Sequence, residues 1–311
     1  MKFLNYYPCI LFFSLFIFSC SSDDNGKITD ENNQEANIVI SNVKTSYRGV
    51  PEDPNASVHK TIGNSPLVNN QFQKTTLESF SDGVSQNVYI GNEYFYYNNG
   101  SLRKLNSTFQ GEDETRDFVY DENSNLKQVV WQVLGESKYY IFTEISPKKY
   151  YFEWLTLPLD DPSTEIVSRI IVEFDDNQNI VKAGRDNDRN GTMDYKNIFE
   201  YSSDNDLIAV HFNNGEIHNI EYTDIVDTES FIQDETFGKK TGRLMSAQIY
   251  ALSNIESIKN LSHSYHLSKE KFFDADYEVL DNGFFKKRTI TEGLYEGSSV
   301  TETYILEYTF Q

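Results

Sequence analysis

The chain contains very little cysteine. Its 311 residues include two, Cys9 and Cys20. Cys9 lies in an apolar amino-terminal segment that we expect to be removed, so the mature chain keeps Cys20 alone. A single cysteine excludes an internal disulfide and a cysteine-ligated zinc site. Stability therefore has to come from burial, for which 22 Phe and 21 Tyr supply the apolar area.

Basic residues are also scarce. Lys and Arg number 27 against 48 Asp and Glu, which gives a formal net charge of −21. Removal of residues 1–19 takes away Lys2 and no acid, leaving 26 basic and 48 acidic residues, a net charge of −22. A surface of this sign repels phosphate backbones. We therefore expect no nucleic-acid partner, and instead cations, neutral glycans or basic proteins.

No apolar run is long enough to cross a bilayer as a helix. The run at residues 10–18 has about half of the roughly 20 residues that a membrane helix needs. With Lys2 before it and Ile17-Phe18-Ser19-Cys20 after it, the run predicts a signal peptide over residues 1–19. The last four residues resemble the lipobox of bacterial lipoproteins. That resemblance implies palmitate-type acylation at Cys20 and a membrane as partner, whereas a generic secretory signal would leave the cysteine incidental.

A polar tether follows the cysteine. Residues 20–37 contain almost nothing to bury, which predicts a disordered spacer. The serines and acids at positions 21–25 resemble the signal that sends lipoproteins of the Bacteroidota to the outer cell surface. This resemblance implies an outer-membrane protein that faces the cell exterior. The alternative is that any soluble tether is polar and acidic.

One short phrase recurs along the rest of the chain. Aromatic or β-branched residues precede an Asp/Asn/Gly turn, and an apolar residue follows. The copies are Tyr96–Leu102, Val119–Leu126, Glu173–Ile180, Glu200–Leu207, His211–Ile217 and Val279–Phe285. Asn-Gly between apolar strands predicts a hairpin with a two-residue type I′ turn. The sequence therefore predicts one mainly β domain over residues 38–311, an antiparallel β-meander of hairpins with one helix, Lys240–Leu252, packed on it.

The same phrase carries a family resemblance. Its form Tyr/Phe-Asp-x-x-Asn/Gly-x-Leu/Ile, most complete at Tyr120-Asp121, resembles the YD-type repeats of bacterial surface proteins. With the lipobox and the tether, the chain is similar to Bacteroidota surface lipoproteins built from degenerate β-hairpin repeats. The resemblance covers roughly residues 90–310 and implies an architecture, not an activity.

The sharpest chemical pattern is at residues 186–194, Asp-Asn-Asp-Arg-Asn-Gly-Thr-Met-Asp. Oxygen donors at positions 1, 3 and 5, glycine at 6 and an acid at 9 match a calcium loop. The expected ligands are the side chains of Asp186, Asp188 and Asn190, the backbone carbonyl of Thr192, and Asp194 directly or through water. Position 12 is Asn197 instead of a bidentate glutamate, which predicts modest affinity. A plain solvated hairpin loop favours the same residue types, so both interpretations stay open.

Histidines form a second pattern. A two-residue turn would place His211 opposite His218, as a pair that clamps a transition metal or as a half-exposed polar pair; we favour the polar pair. His263 and His266 have the same two interpretations. Among catalytic motifs, a nucleophile elbow, His-Glu-x-x-His and a dinucleotide-binding glycine pattern are absent. Residues 238–242 lack the spacing of a phosphate loop.

Acid pairs and aromatic clusters are the remaining candidate features of the sequence. The pairs at 160–161 and 175–176 suggest a glycosidase, but adjacent strand residues face opposite ways. The clusters at 94–97 and 150–154 are assigned to the core or sheet surface, with a sugar-stacking platform as the alternative. The sequence thus predicts a non-enzymatic surface lipoprotein with a binding or envelope-assembly role and a glycan or protein ligand. A carbohydrate-active hydrolase and a purely structural envelope component are the alternatives.

Overall fold

The computed structural model describes residues 38–51, 57–109, 112–252, 264–269, 275–293 and 300–311. The predicted signal peptide, Cys20 and the tether lie outside these residues. The described strands are β1 (Ile40–Pro51), β2 (His59–Val68), β3 (Gln71–Phe72), β4 (Lys74–Ser81), β5 (Val84–Tyr96), β6 (Leu102–Phe109), β7 (Glu112–Tyr120), β8 (Leu126–Val133), β9 (Glu136–Ser146), β10 (Lys149–Leu155), β11 (Ile166–Phe174), β12 (Ile180–Arg185), β13 (Tyr195–Tyr201), β14 (Leu207–His211), β15 (Ile217–Asn219), β16 (Tyr222–Val226), β17 (His266–Ser268), β18 (Asp276–Val279), β19 (Phe285–Gly293) and β20 (Val300–Phe310). The helices are α1 (Thr228–Phe237), α2 (Lys239–Met245) and α3 (Ala247–Leu252).

One antiparallel sheet contains eighteen of these strands. From β4 to β15, each strand pairs with the next one in the sequence. On the other side of β4 the order continues as β2, β1, β20, β19 and β18. The first and last strands are therefore neighbours, and β16 and β17 form a separate pair. The predicted mainly β meander is confirmed.

Period-two burial explains why these segments are strands. In β20, Leu306 and Tyr308 are buried, whereas Thr309 between Tyr308 and Phe310 is exposed. Successive side chains of a strand point to opposite faces, so the buried set marks the face that packs on the core. The face of β20 that carries Leu306 and Tyr308 is therefore the face that packs on the core.

The helical region is longer than predicted. The structure divides the predicted helix Lys240–Leu252 into α2 and α3 at Ser246, and adds α1 before them. Asp227 caps α1 by accepting the backbone N–H groups of Glu229 and Ser230 at 3.2 and 3.3 Å. The sequence did not indicate α1 because much of its buried side is polar; its buried residues are Thr228, Ser230, Ile232, Gln233, Thr236 and Phe237. Packing of α3 against β11, β12 and β13 confirms a helix on the sheet.

The core lies between the helices and one face of the sheet, which we call the inner face. The larger buried cluster joins Phe118, Phe142 and Phe152 of the sheet to Leu244 and Tyr250 of the helices. A smaller cluster joins β1, β2, β19 and β20 to Ile232 of α1. No helix in the described ranges has the length and apolar character needed to span a membrane.

The recurring phrase forms a hairpin at all six positions, but the predicted turn type is wrong. Gly215 is the fourth residue of the β14–β15 turn and has a φ angle of 88°. The two asparagines before it have negative φ angles. The N–H of Gly215 donates to the carbonyl of Phe212 at 3.0 Å, and that of Phe212 to Glu216 at 2.9 Å. This is a type I turn followed by a left-handed residue, a three-residue loop. A two-residue turn does occur at Asp82-Gly83, where both φ angles are positive.

The longer loop shifts the strand register by one residue. His211 pairs with Ile217, and His218 pairs with Val210, so the two histidines face opposite sides of the sheet. The predicted position of His211 opposite His218 is therefore wrong, and they cannot clamp one metal ion.

Candidate functional site

The loop at residues 186–194 connects β12 to β13, two interior strands, at one end of the strands. The N–H of Asp194 donates to the carbonyl of Arg185 at 2.8 Å, which closes the loop where the strands begin. Within the loop, Arg189 and Gly191 have φ angles of 60° and 86°. These left-handed residues turn the chain sharply, which is the role that the sequence assigned to the glycine.

Three of the five predicted ligand residues converge. One carboxylate oxygen from each of Asp186, Asp188 and Asp194 lies within 4.8 Å of the other two. Asp186 is 1% exposed, whereas Asp188 and Asp194 are exposed. Three carboxylates this close repel one another unless a cation lies between them. The arrangement is therefore a cluster of three carboxylates, one buried and two exposed.

The two oxygens of Asp186 have different surroundings. Its Oδ2 accepts the N–H of Gly191 at 3.2 Å and the Nη1 of Arg169 at 3.4 Å. Its Oδ1 is buried, and in the described part of the chain it has no hydrogen-bond donor. A buried carboxylate oxygen without a donor or cation is costly, so Oδ1 is the oxygen of this loop that a bound cation would stabilise most.

The two uncharged predicted ligands contact each other. The side-chain Oδ1 of Asn190 accepts the N–H of Thr192 at 2.9 Å and also the hydroxyl of Thr192. Asn190 further donates its side-chain N–H to Asp188 at 2.7 Å. At the twelfth position, Asn197 is buried and donates to the carbonyl of Tyr250 at 2.8 Å. Asn197 therefore belongs to the core, and the loop itself supplies every candidate ligand.

Arg169 is the part of the site that the sequence did not indicate. It lies 17 residues before Asp186 on β11, and only the pairing of β11 with β12 brings them together. Its Nε donates to Glu153 at 2.7 Å, and its guanidinium lies 4.4 Å from the Tyr151 ring. Partial burial alone would lower the pKa of Arg169, but Glu153 and Asp186 outweigh that effect and raise it. The guanidinium therefore stays charged.

The other sequence candidates do not join this site. The Nε2 of His211 lies 2.8 Å from Glu200, and the Nδ1 of His266 lies 2.7 Å from Asp206. His263 lies outside the described residues. Residues 238–242 form the junction of α1 and α2, with Gly238 as the cap of both.

The acid pairs and aromatic clusters have separate positions as well. Asp175 binds its own turn, accepting the backbone and side-chain N–H groups of Asn179 at 2.7 and 2.9 Å. The neighbouring Asp176 is largely exposed and pairs with Lys148. In the second aromatic cluster Tyr150 is core, as predicted, and its hydroxyl donates to Glu144.

Known proteins offer few likenesses to this chain. No protein-family model matches it, and no curated protein matches it significantly. Among solved structures, a porin-like protein from Bacteroides uniformis is 10% identical with a TM-score of 0.29, over 88% of this chain and 98% of that one. The Tc holotoxin pore of Photorhabdus luminescens is 8% identical with a TM-score of 0.32, over 65% of this chain and 12% of that one. Both TM-scores are low, so function is argued below from the residues of this chain.

Proposed function

We propose that this protein is a lipid-anchored envelope protein, displayed at the outer surface, that binds ligands without catalysis and takes up calcium at the 186–194 loop. The lipobox-like sequence before Cys20 supports the anchor, and the acidic tether supports surface display. The absence of familiar catalytic motifs from the sequence supports a binding or assembly role over hydrolysis. Calcium is the part of the proposal that the geometry of described residues addresses directly.

The buried Oδ1 of Asp186 carries the calcium proposal. Most buried polar groups are satisfied by a hydrogen-bond donor of the protein or by a bound ligand. Here the oxygen is buried without a donor in the described chain, and two more carboxylates lie within 4.8 Å. A hard divalent cation with oxygen ligands would satisfy it and neutralise the three acids together.

The ligand count predicts a weak site. Calcium takes about six to eight oxygens, and the loop offers five residues at most. Because Asn197 is engaged with Tyr250, no bidentate twelfth ligand completes the shell, and water has to fill it. Arg169 also places a positive charge beside Asp186. We therefore expect a dissociation constant of about 1 mM, which suits calcium outside a cell.

Calorimetry of the acylated mature protein in detergent tests the calcium site. Titration with calcium should give a saturable heat, and 10 mM calcium should add about 1.4 kcal/mol to the unfolding free energy if the dissociation constant is about 1 mM. The double variant Asp186→Asn with Asp188→Asn should lose both effects. Asp204→Asn, an exposed aspartate in another turn, is the matched control and should keep them. A silent wild type would reduce 186–194 to a hairpin loop.

The anchor is tested separately. Cells fed a labelled fatty acid should label the wild type, and Cys20→Ser should abolish the label and leave the precursor uncut. Protease added to intact cells should digest the wild-type protein if it faces outward. Normal membrane anchoring of Cys20→Ser would disprove the lipoprotein assignment without affecting the calcium site.

A further inference from the structure

The β4–β5 hairpin extends past the point where β5 pairs with β6. β5 pairs with β4 along Val84–Glu93, whereas its pairing with β6 on the other side begins at Asn92. Among the described residues, Val84–Gly91 therefore have β4 as their one strand neighbour. We call this eight-residue segment the β5 edge. Backbone N–H and C=O groups on the open side of such an edge are available to another strand.

The β5 edge is open to solvent on both faces of the sheet. Every residue from Val84 to Ile90 is exposed, although successive side chains of a strand point to opposite faces. Val88 is 68% exposed, more than any other large apolar side chain in the described ranges, and Val84 is 63% exposed. The period-two burial that marks the other strands is therefore missing here, and apolar side chains are left in water.

This edge also lacks the features that usually protect a sheet edge, which are short length, charge and proline. The strands at the two ends of the sheet, β15 and β18, have three and four residues, and β18 carries Asp276 and Glu278. The β5 edge has eight residues without a charge or a proline. Bulges at Gln86 and Gly91, which β4 leaves unpaired, flank a regular part at Asn87–Ile90. A partner strand would therefore pair along this regular part.

The charge distribution favours a second copy of this chain as the partner. The mature chain has 26 basic and 48 acidic residues, a net charge of −22, so two copies repel each other over most of their surfaces. The uncharged β5 edge is a place where two copies can approach without that repulsion. An antiparallel pair of identical edges is also self-complementary, because a twofold axis relates the two strands. With the axis near Val88, the exposed Val88 side chains of the two copies would be adjacent.

We infer that the β5 edge pairs antiparallel with the β5 edge of a second copy, through Asn87–Ile90, and joins two sheets into one. This interaction surface goes beyond the proposed function and depends neither on calcium nor on acylation. Eight residues a side are fewer than the about 20–30 a side of a standard interface. We therefore expect a weak, reversible dimer with a dissociation constant of about 10 μM.

Sedimentation velocity of the mature protein in density-matched detergent measures this association. Micelles are kept in large excess over protein, so that two chains do not share one micelle by chance, and a chelator removes calcium. With a dissociation constant of about 10 μM, the wild type should be mostly monomeric at about 1 μM and mostly dimeric at about 100 μM.

Lysine substitutions test whether the β5 edge carries the dimer. Val88→Lys with Ile90→Lys puts two charges on the edge of each copy and should leave the protein monomeric at about 100 μM. Both side chains are exposed, so the far-ultraviolet circular dichroism should stay that of the wild type. Ile198→Lys is the matched control, because Ile198 is an exposed apolar residue of β13, which pairs on both sides. It should dimerise like the wild type.

Disulfide trapping tests the position of the twofold axis. Mild oxidation of Val88→Cys at about 100 μM should link two chains. Ile198→Cys should not link, because its side chain lies on an interior strand. The wild type, oxidised in parallel, shows any linkage through Cys20, the one other cysteine of the mature chain.

Four results would overturn the inference. A wild type that stays monomeric at about 100 μM would exclude the dimer at the expected strength. A dimer that survives the double lysine substitution would place the contact elsewhere. Equal linkage of Ile198→Cys and Val88→Cys would show random collision. A complex of the purified wild type with a different protein, lost in the lysine variant, would replace the second copy with a foreign strand.

Discussion

Asn179→Ala should destabilise this protein far more than a surface-turn substitution normally does. Asn179 is fully buried in the β11–β12 turn. Its side-chain N–H groups donate to Asp175 at 2.9 Å and Asn205 at 3.0 Å, and its Oδ1 accepts from Arg243, which is 2% exposed. A neutral hydrogen bond contributes about 1 kcal/mol and one to a charged group about 2 kcal/mol. Removal of three, two of them to charged groups, should cost about 4–5 kcal/mol.

The structure provides its own control for this prediction. Asn125 occupies the same place in the β7–β8 turn, where its side chain donates to Asp121 at 3.3 Å and accepts from Lys240 at 2.8 Å. It is half-buried, so solvent replaces much of what Asn125→Ala removes, and the expected loss is about 1 kcal/mol.

Urea unfolding followed by far-ultraviolet circular dichroism measures both losses, with calcium held constant. Adding Arg243→Met to Asn179→Ala should recover part of the loss, because it removes the cation that the first change leaves poorly paired. Equal destabilisation by Asn179→Ala and Asn125→Ala would refute the reasoning, since burial of the arginine would then contribute nothing. The reasoning would also be refuted if adding Arg243→Met to Asn179→Ala destabilised the protein further.

Two other predictions concern alkaline stability and packing beside the loop. Burial raises the pKa of Tyr201 to about 12 from its ordinary value of 10.0. The unfolded chain therefore ionises first, and stability should be intact below pH 10 and fall by about 2 kcal/mol by pH 12 from this residue alone. Thermal melts with tyrosinate absorbance at each pH would show unfolding and ionisation together, and stability that is flat to pH 12 would contradict it. In β12, a Cβ added to Gly184 would lie 2.1 Å from the carbonyl oxygen of Tyr195, a backbone atom that has to move. Gly184→Ala should therefore lower the free energy of unfolding in urea by about 2–3 kcal/mol and weaken calcium uptake in calorimetry. The control Gly135→Ala has no atom within 4 Å of the added Cβ, so it should cost about 1 kcal/mol through its positive φ alone. Similar losses for the two variants would exclude the backbone clash as the cause.

The positions of the hairpins were predictable from the sequence because the pattern of a strand and the pattern of a turn are both local. Alternating apolar residues define each strand, and Asp, Asn and Gly between them define the turn. Loop length was not, because Asn-Gly suits both a two-residue turn and the last residues of a three-residue turn. At Asn214-Gly215 the difference is one residue, and it separates His211 from His218. The number of hairpins can thus be predicted from the sequence. The register of the paired strands cannot, because it depends on the length of the turn between them.

The residues of the candidate site also differ in whether local sequence could indicate them. Asp186, Asp188 and Asp194 lie within nine residues, and a periodic spacing was enough to group them. Arg169 acts on Asp186 across a strand pair, and the sequence carries no trace of that contact. The tryptophans are a similar case. Trp131 and Trp154 are 23 positions apart, and only the β8–β9–β10 pairing places them on one face of the sheet.

Sheet topology also bears on how the proposed calcium loop relates to the anchor. Near the start of β1, the carbonyl of Ile38 accepts the side chain of Asn70 at 3.0 Å, and Gln71 donates to the carbonyl of Gly100 in the β5–β6 turn at 3.1 Å. Hairpin turns of a meander alternate between the two ends of the strands. The β5–β6 turn and the turn at Asn179 are separated by an even number of strands, so they lie at the same end. The calcium loop follows one strand later and lies at the opposite end.

The first described residues therefore lie at one end of the strands, and the calcium loop lies at the opposite end. Under the proposed anchor at Cys20, the end of the domain that begins at residue 38 and the calcium loop would be separated by the length of the strands. An anchor moved to residue 311 would keep the same orientation, because the N–H of Gln311 donates to the carbonyl of Val39 at 2.9 Å and the first and last strands meet at that end.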